Sequence, residues 1–149
     1  MAKTSKPKAP HAVLGWCEWV KFPEFGNVRI KAKTDTGAQT SALHAWKIKP
    51  FEKDGENWVS FEIHPLQKSQ KDKIHCEAPV AGIKVVKSSN GQRENRYTIT
   101  TKVKIGPYEY PIDLTLTNRD EMGYRMLIGR AAIAGRFLVD CGHSYIQTG

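Results

Sequence analysis

Residues 97–117 constrain the fold more than any other stretch. Tyr97, Ile99, Val103 and Ile105 fall on one side of a period-two pattern, with Thr98, Thr100, Lys102 and Lys104 on the other. After Gly106-Pro107 the pattern resumes, with Tyr108, Tyr110, Ile112, Leu114 and Leu116 opposite Glu109, Asp113, Thr115 and Thr117. Alternation of this kind buries one face of an extended chain, and the Gly-Pro step reverses direction, so the stretch predicts two long neighbouring strands.

Shorter runs fill in the rest. Val13 to Phe22, Val28 to Thr34 and Ser41 to Ile48 read as strands, the last ended by Pro50. Asp54-Gly55 is a hairpin signal before Val59, Phe61 and Ile63, which alternate with Trp58, Ser60 and Glu62. Gln67 to Lys73 is wholly polar and reads as an exposed loop. Ile74 to Ala81 and Ile83 to Val86 follow, and then Ser88-Ser89-Asn90-Gly91-Gln92, whose Asn-Gly predicts a tight hairpin. Met126 to Ile128, Phe137 to Val139 and Tyr145-Ile146 supply closing strands, and residues 129–135 predict one or two helical turns ended by Gly135. Many short strands with one short helix indicate an all-β, closed or nearly closed barrel. At 149 residues the chain has the size of one domain. Residues 13–149 are assigned to the barrel, and residues 1–12, basic and Pro-containing, to a flexible tail.

Charge and cysteine usage narrow the setting. The formal net charge of +8 favours an anionic partner, whether nucleic acid, an acidic peptide or a membrane surface. No stretch approaches a membrane span or a signal peptide, and Cys17, Cys76 and Cys141 are odd in number and far apart, which argues against a disulfide framework. Free thiols in a soluble, cytoplasmic protein are expected.

The chemistry centres on Lys33-Thr34-Asp35-Thr36-Gly37-Ala38-Gln39-Thr40-Ser41. Val28 to Thr34 leads directly into it, so the Asp35 carboxylate sits where a strand ends and a turn begins. Thr36 offers a hydroxyl to fix that turn, and Gly37 supplies backbone freedom and allows close approach. Taken alone, Asp-Thr-Gly is also an ordinary turn tripeptide.

The combination of a hydrophobic strand, Asp35-Thr36-Gly37-Ala38, a central Asn90-Gly91 hairpin and Leu127-Ile128-Gly129-Arg130 opening a short helix resembles the retropepsin-like aspartic peptidases. More closely, the chain is similar to the bacterial family that carries the label ATP-dependent zinc protease. That likeness is carried by Gly15-Trp16 with Glu18-Trp19, Lys31 to Ala38, Thr40 to Ala45, Arg125 to Arg130 and Gly135 to Asp140. The resemblance implies a retropepsin-like barrel in which Asp35, Thr36 and Gly37 form the catalytic turn. Because aspartic peptidases use two facing carboxylates and the chain holds a single Asp-Thr-Gly, it also implies a homodimer with Asp35 on the two-fold axis. Thr36 would lock the two turns together and Gly37 would permit their approach. Ala38, with Asn90, Gly91, Arg93 and Arg96 of a mobile flap, would contact substrate, and Gly129 and Arg130 would serve as auxiliary residues. Association with an ATP-grasp ligase that modifies ribosomal proteins is a further implication. Ala131 departs from the Asn or Asp usual after Gly-Arg in retroviral enzymes, and residues 47–75 form the expected insertion.

The flap is basic. Lys84, Lys87, Arg93, Arg96, Lys102 and Lys104 stand against Glu94. Such a flap suits an acidic, glutamate-rich peptide substrate, and the same residues suit a solvated strand face. The zinc label finds little in the residues: there is no His-Glu-x-x-His and no Cys-x-x-Cys, and His44, His64, His75, Cys76, Cys141 and His143 are scattered, so no metal ligands and no cofactor are assigned. No phosphate-binding Gly-Lys-Ser/Thr loop is present for ATP. His44, near Asp35 in sequence, is weighed as an auxiliary group against a satisfied barrel histidine. The second function class is a non-catalytic barrel that uses its basic surface on nucleic acid or an acidic protein.

Overall fold

The alternation at 97–117 becomes two strands, Arg93–Ile105 and Tyr108–Thr117, paired antiparallel from Ile105 with Tyr108 to Thr98 with Thr115. They are β9 and β10 of twelve strands in a computed structural model that describes residues 11–65, 73–87, 91–118 and 124–148. The others are β1 (Ala12–Gly15), β2 (Cys17–Phe22), β3 (Val28–Asp35), β4 (Ser41–His44), β5 (Trp46–Lys53), β6 (Glu56–Ile63), β7 (Ile74–Pro79), β8 (Gly82–Lys87), β11 (Met126–Gly129) and β12 (Phe137–Asp140). One short helix, α1 (Arg130–Ile133), follows β11.

Strands β10, β4, β11, β3, β2 and β9 neighbour one another in that order, and the β9–β10 pairing closes them into a ring. Val20, Phe22, Ile30, Ala32, Leu43, Ile99, Val103, Leu114, Leu116 and Ile128 are buried in one apolar cluster with them. The expected barrel with one short helix is therefore the observed architecture. Strand β8 hangs from the far half of β9 as a hairpin arm. Strands β5, β6 and β7 form a separate three-stranded sheet over the expected insertion and bring Val59, Phe61, Ile63 and Cys76 to the same core. Among the described residues no helix is long and apolar enough to cross a membrane. Residues 1–10, 66–72 and Asn90, covering most of the expected tail, the polar loop and the hairpin tip, lie outside the described residues.

Four strand assignments need correction. The run from Ser41 to Ile48 is divided at Ala45 into β4 and β5, which belong to different sheets. The run from Val13 to Phe22 is two strands, broken at the exposed Trp16, with β1 parallel to β12 and β2 antiparallel to β3. Pro50 does not end a strand: it lies inside β5 opposite Val59, which the sheet tolerates because β5 is an edge strand. Tyr145-Ile146 is not a strand, with Tyr145 at φ 53°, because the Ile146 amide and the two that follow serve a side-chain acceptor.

That acceptor is Glu18, whose side chain is fully buried. Its carboxylate accepts from the amides of Gly15 at 2.7 Å, Ile146 at 2.9 Å, Gln147 at 3.2 Å and Thr148 at 3.1 Å, and from the Thr148 hydroxyl at 2.7 Å. Buried charge is tolerable only when its lone pairs are satisfied in this way. The segment so fastened also donates from Tyr145 N–H to the Cys17 carbonyl and accepts from Trp16 N–H at the His143 carbonyl. Trp16 and Gly15 in turn accept from the amide and hydroxyl of Thr34, the residue before Asp35. Glu18→Gln, which leaves a neutral amide among amide donors, is expected to cost about 2–3 kcal/mol of stability by urea unfolding. Gly129→Ala is expected to cost about 1–3 kcal/mol in the same measurement, because its Cβ would fall 2.5 Å from the Thr40 carbonyl carbon.

Candidate active site

Asp35 closes β3 directly beside Gly129 of β11, with which it is in parallel register. Beyond it the chain turns sharply: the Asp35 Oδ1 accepts from Gly37 N–H at 3.1 Å, and the Asp35 carbonyl accepts from Ala38 N–H at 3.2 Å. The role of Gly37 differs from the expectation of unusual backbone angles, since Gly37 is not among the glycines with positive φ. What matters there is space, as an added Cβ would lie 3.3 Å from the Asp35 carboxylate oxygen. Thr36 is exposed; it contributes its carbonyl, which accepts from Arg130 Nη1 at 3.0 Å.

The segment from Ala38 to Ser41 is held by the start of α1. Arg130 N–H donates to the Ala38 carbonyl at 2.7 Å, Ala131 N–H to the Gln39 carbonyl at 2.9 Å, and Gly129 N–H to the Ser41 hydroxyl at 2.9 Å. Two peptide segments approach this closely only where one lacks a side chain, which explains the glycine at 129. Gly129 and Arg130 thus act on the turn through its backbone, and Ala131 donates its amide where a polar side chain was the expected feature.

A cleft of about 840 Å³ opens over the turn, lined by Asp35, Gly37, Ala38, Gln39 and Thr40 below and by Lys84, Val85, Val86, Lys87 and Arg96 of the β8–β9 arm above. The arm is seated on the turn by Lys84 Nζ, which donates to the Thr40 hydroxyl at 2.6 Å. Arg96 lines the cleft with its Nε donating to Glu94 at 2.8 Å, and Glu94 also accepts from the Thr117 hydroxyl at 3.2 Å. With Lys33, four cations face this cleft, and Asp35 is its lone carboxylate among the described lining residues.

The structure therefore brings together Asp35, Gly37, Ala38 and Arg96, with Thr36, Gly129 and Arg130 bracing the turn. Gly91, at φ 87°, and the exposed Arg93 are outside the cleft lining, and Asn90 is not described. His44 is not in the lining either: it is buried and stacked on Trp46 at 4.0 Å, Trp46 is stacked on His64 at 3.7 Å, and the Arg125 guanidinium lies 4.7 Å from the Trp46 ring. Lys84, Lys33 and Thr40 are the contributors that sequence reasoning did not single out as site residues. Basic flap composition was the signal for Lys84; nothing local marks its contact with Thr40.

Remaining chemistry-bearing residues lie elsewhere. Cys17 and Cys76 are buried and Cys141 is exposed, and burial pushes the Cys76 thiol up to about 12. His143 pairs with Asp140 at 2.8 Å and His75 with Glu77 at 3.6 Å. No group of three His, Cys, Asp or Glu side chains converges as a metal site among the described residues.

Comparison with known proteins agrees with the fold. A solved Legionella pneumophila protein of unknown function superposes with a TM-score of 0.76 at 28% identity, covering 91% of this chain and 98% of that one. Curated relatives are the probable alpha-L-glutamate ligases of Shewanella halifaxensis, 48% identical over 89% of this chain, and of Desulfotalea psychrophila, 45% identical over 86%. The match spans only 29% and 28% of those longer proteins. The model of the RimB-like family, described as retropepsin-like aspartic endopeptidase RimB, matches residues 13–149. A strand-borne Asp-Thr-Gly turn, its glycine-braced partner strand and the matching family model together place this chain in the RimB-like family of retropepsin-like proteins.

Proposed function

We propose that the protein is an aspartic endopeptidase in which the Asp35 carboxylates of two copies act as a pair. The observation that carries this reading is the position of Asp35: a partly exposed carboxylate on a rigidly braced turn, at the floor of a cleft sized for an extended peptide. One carboxylate is half of the required machinery. With two in contact, repulsion of like charges keeps one protonated, and the pair titrates as a unit.

The chemical steps follow. The ionised Asp35 removes a proton from water as the water oxygen bonds to the scissile carbonyl carbon, while the protonated Asp35 of the other copy hydrogen-bonds the carbonyl oxygen. The tetrahedral intermediate collapses as the amide nitrogen takes up a proton, the C–N bond breaks, and a carboxylic acid and an amine leave. Thr36, exposed on the turn, is available to hydrogen-bond a second copy.

Substrate preference follows from charge. Lys33, Lys84, Lys87 and Arg96 around the cleft favour a peptide rich in carboxylates. The names of the curated relatives concern glutamate ligation, and in those proteins the matching region is part of a longer chain. A glutamate-rich peptide as substrate, and a ligase of the ATP-grasp type as partner, are the corresponding proposals for this chain.

Asp35→Asn is expected to lower hydrolysis of a glutamate-rich peptide by at least about 1,000-fold, with the thermal midpoint moved by less than about 4 °C. Retained hydrolysis in the folded variant would remove the assignment. Charge reversal of Arg96 or Lys84 is expected to raise KM for that peptide by about fivefold or more. Arg93→Glu, outside the cleft, is expected to have the smaller effect. An unchanged KM for all three would dissociate the basic arm from substrate choice.

A further inference from the structure

A second basic surface lies outside the cleft. On β3 the buried Val28, Ile30 and Ala32 alternate with Arg29, Lys31 and Lys33, which therefore share the outward face at about 6.8 Å steps, with Lys33 at the end that lines the cleft and Arg29 and Lys31 beyond it. On β2 the neighbouring outward residues are Trp19 and Lys21, in register with Lys31 and Arg29 respectively, and Lys21 is also in register with Lys104 of β9. Four cations, Lys21, Arg29, Lys31 and Lys104, thus lie around one tryptophan on a continuous sheet surface. The Arg29 guanidinium lies 5.1 Å and the Lys31 ammonium 5.5 Å from the Trp19 ring, so the aromatic face holds both heads against the sheet.

Among the described residues none of these four makes an ion pair with a carboxylate. Glu109 stands opposite Lys104 in the β9–β10 register at the border of the face, and Glu18 beneath it is turned inward and occupied by backbone amides. Clustered like charges repel, and an anionic partner relieves that repulsion. At the centre of the face is a depression of about 210 Å³ lined by Trp19, Lys21, Arg29, Lys104, Gly106 and Thr148. One cation from each of three strands converges on it, more than a single carboxylate needs and well matched to a phosphate group.

The topology selects among polyanions. Strands β2 and β3 are interior strands of the ring, paired on both sides, so an extended peptide finds no free backbone edge to extend. A partner there is held by charge alone and across the width of three strands, which is how a phosphodiester backbone is bound. We propose that the outward face of β2, β3 and β9 is a docking site for the phosphate backbone of nucleic acid. The inference is independent of the peptidase reading and holds for an inactive chain.

The test measures anisotropy of a fluorescein-labelled single-stranded RNA of about 20 nucleotides against the full chain, between about 50 and 200 mM salt. The triple variant Lys21→Glu, Arg29→Glu, Lys104→Glu is expected to bind at least about tenfold more weakly, with a salt slope flattened by about 2. A charge-matched triple on β5, Lys47→Glu, Lys49→Glu, Lys53→Glu, is expected to stay within about twofold of the parent. If the face triple fails to fold by circular dichroism, Arg29→Gln with Lys104→Gln replaces it, with an expected loss of about threefold or more. Three results overturn the proposal: unchanged RNA affinity in the face variants, equal loss in the β5 triple, or loss of poly-L-glutamate binding with RNA binding intact.

Discussion

The organisation of the molecule depends on the close approach between Gly129 and the backbone of Thr40 and Ser41, where an added Cβ would come within 2.5 Å of a main-chain atom. Through this contact β11 lies parallel to β3 and antiparallel to β4, threading between the two strands that flank the Asp35 turn. The amides at the start of α1 then reach the Ala38 and Gln39 carbonyls, so the turn has partners for groups that a loop would otherwise leave to solvent. A carboxylate on such a turn is presented in one orientation, which is the physical requirement for chemistry that depends on a second carboxylate at a fixed distance.

The other side of Asp35 is secured from the chain's far end. Glu18 gathers the amides of residues 146–148, and His143 and Ser144 just before them lie against the Gly15-Trp16 bend that hydrogen-bonds Thr34. Barrel closure and site geometry are consequently one structural problem, with β3 gripped by β11 on one flank and by β2 with its fastened tail on the other. The β8–β9 arm is held differently, by strand pairing within itself and by side-chain bonds, among them Thr117 to Glu94 at its base and Lys84 to Thr40 across the cleft. An exposed lysine contact is easily exchanged for one to a ligand, so the arm is the part of the site suited to opening.

Those elements that half-bury a regular strand were legible from the amino acids. Val59, Phe61 and Ile63, or Ile112, Leu114 and Leu116, repeat at the period of the pleat and are buried as read. The Asp35 turn was legible for a different reason, as the short residues Asp, Thr, Gly and Ala suit a tight loop abutting another backbone. What escaped were features created by partners distant in sequence. The turn at Tyr145 goes with Glu18, which accepts from Ile146, Gln147 and Thr148 across 128 or more residues, and the break at Trp16 goes with the distant His143 carbonyl that accepts from its amide. Pro50 within β5 is acceptable because, among the described residues, β5 is the edge strand of its sheet. The remoteness of His44 from the cleft likewise follows from β4 running away from Asp35 toward Trp46, which proximity in sequence conceals.

The central claim is that one Asp35 is insufficient and two are a catalyst. Mixing the wild-type chain at fixed concentration with increasing amounts of folded Asp35→Asn chain, and following hydrolysis of a glutamate-rich peptide, tests it most directly. The account predicts that activity per wild-type chain falls toward zero as mixed pairs replace active ones. Activity that stays constant across the titration would mean that each chain works alone, and the paired-carboxylate account would be wrong.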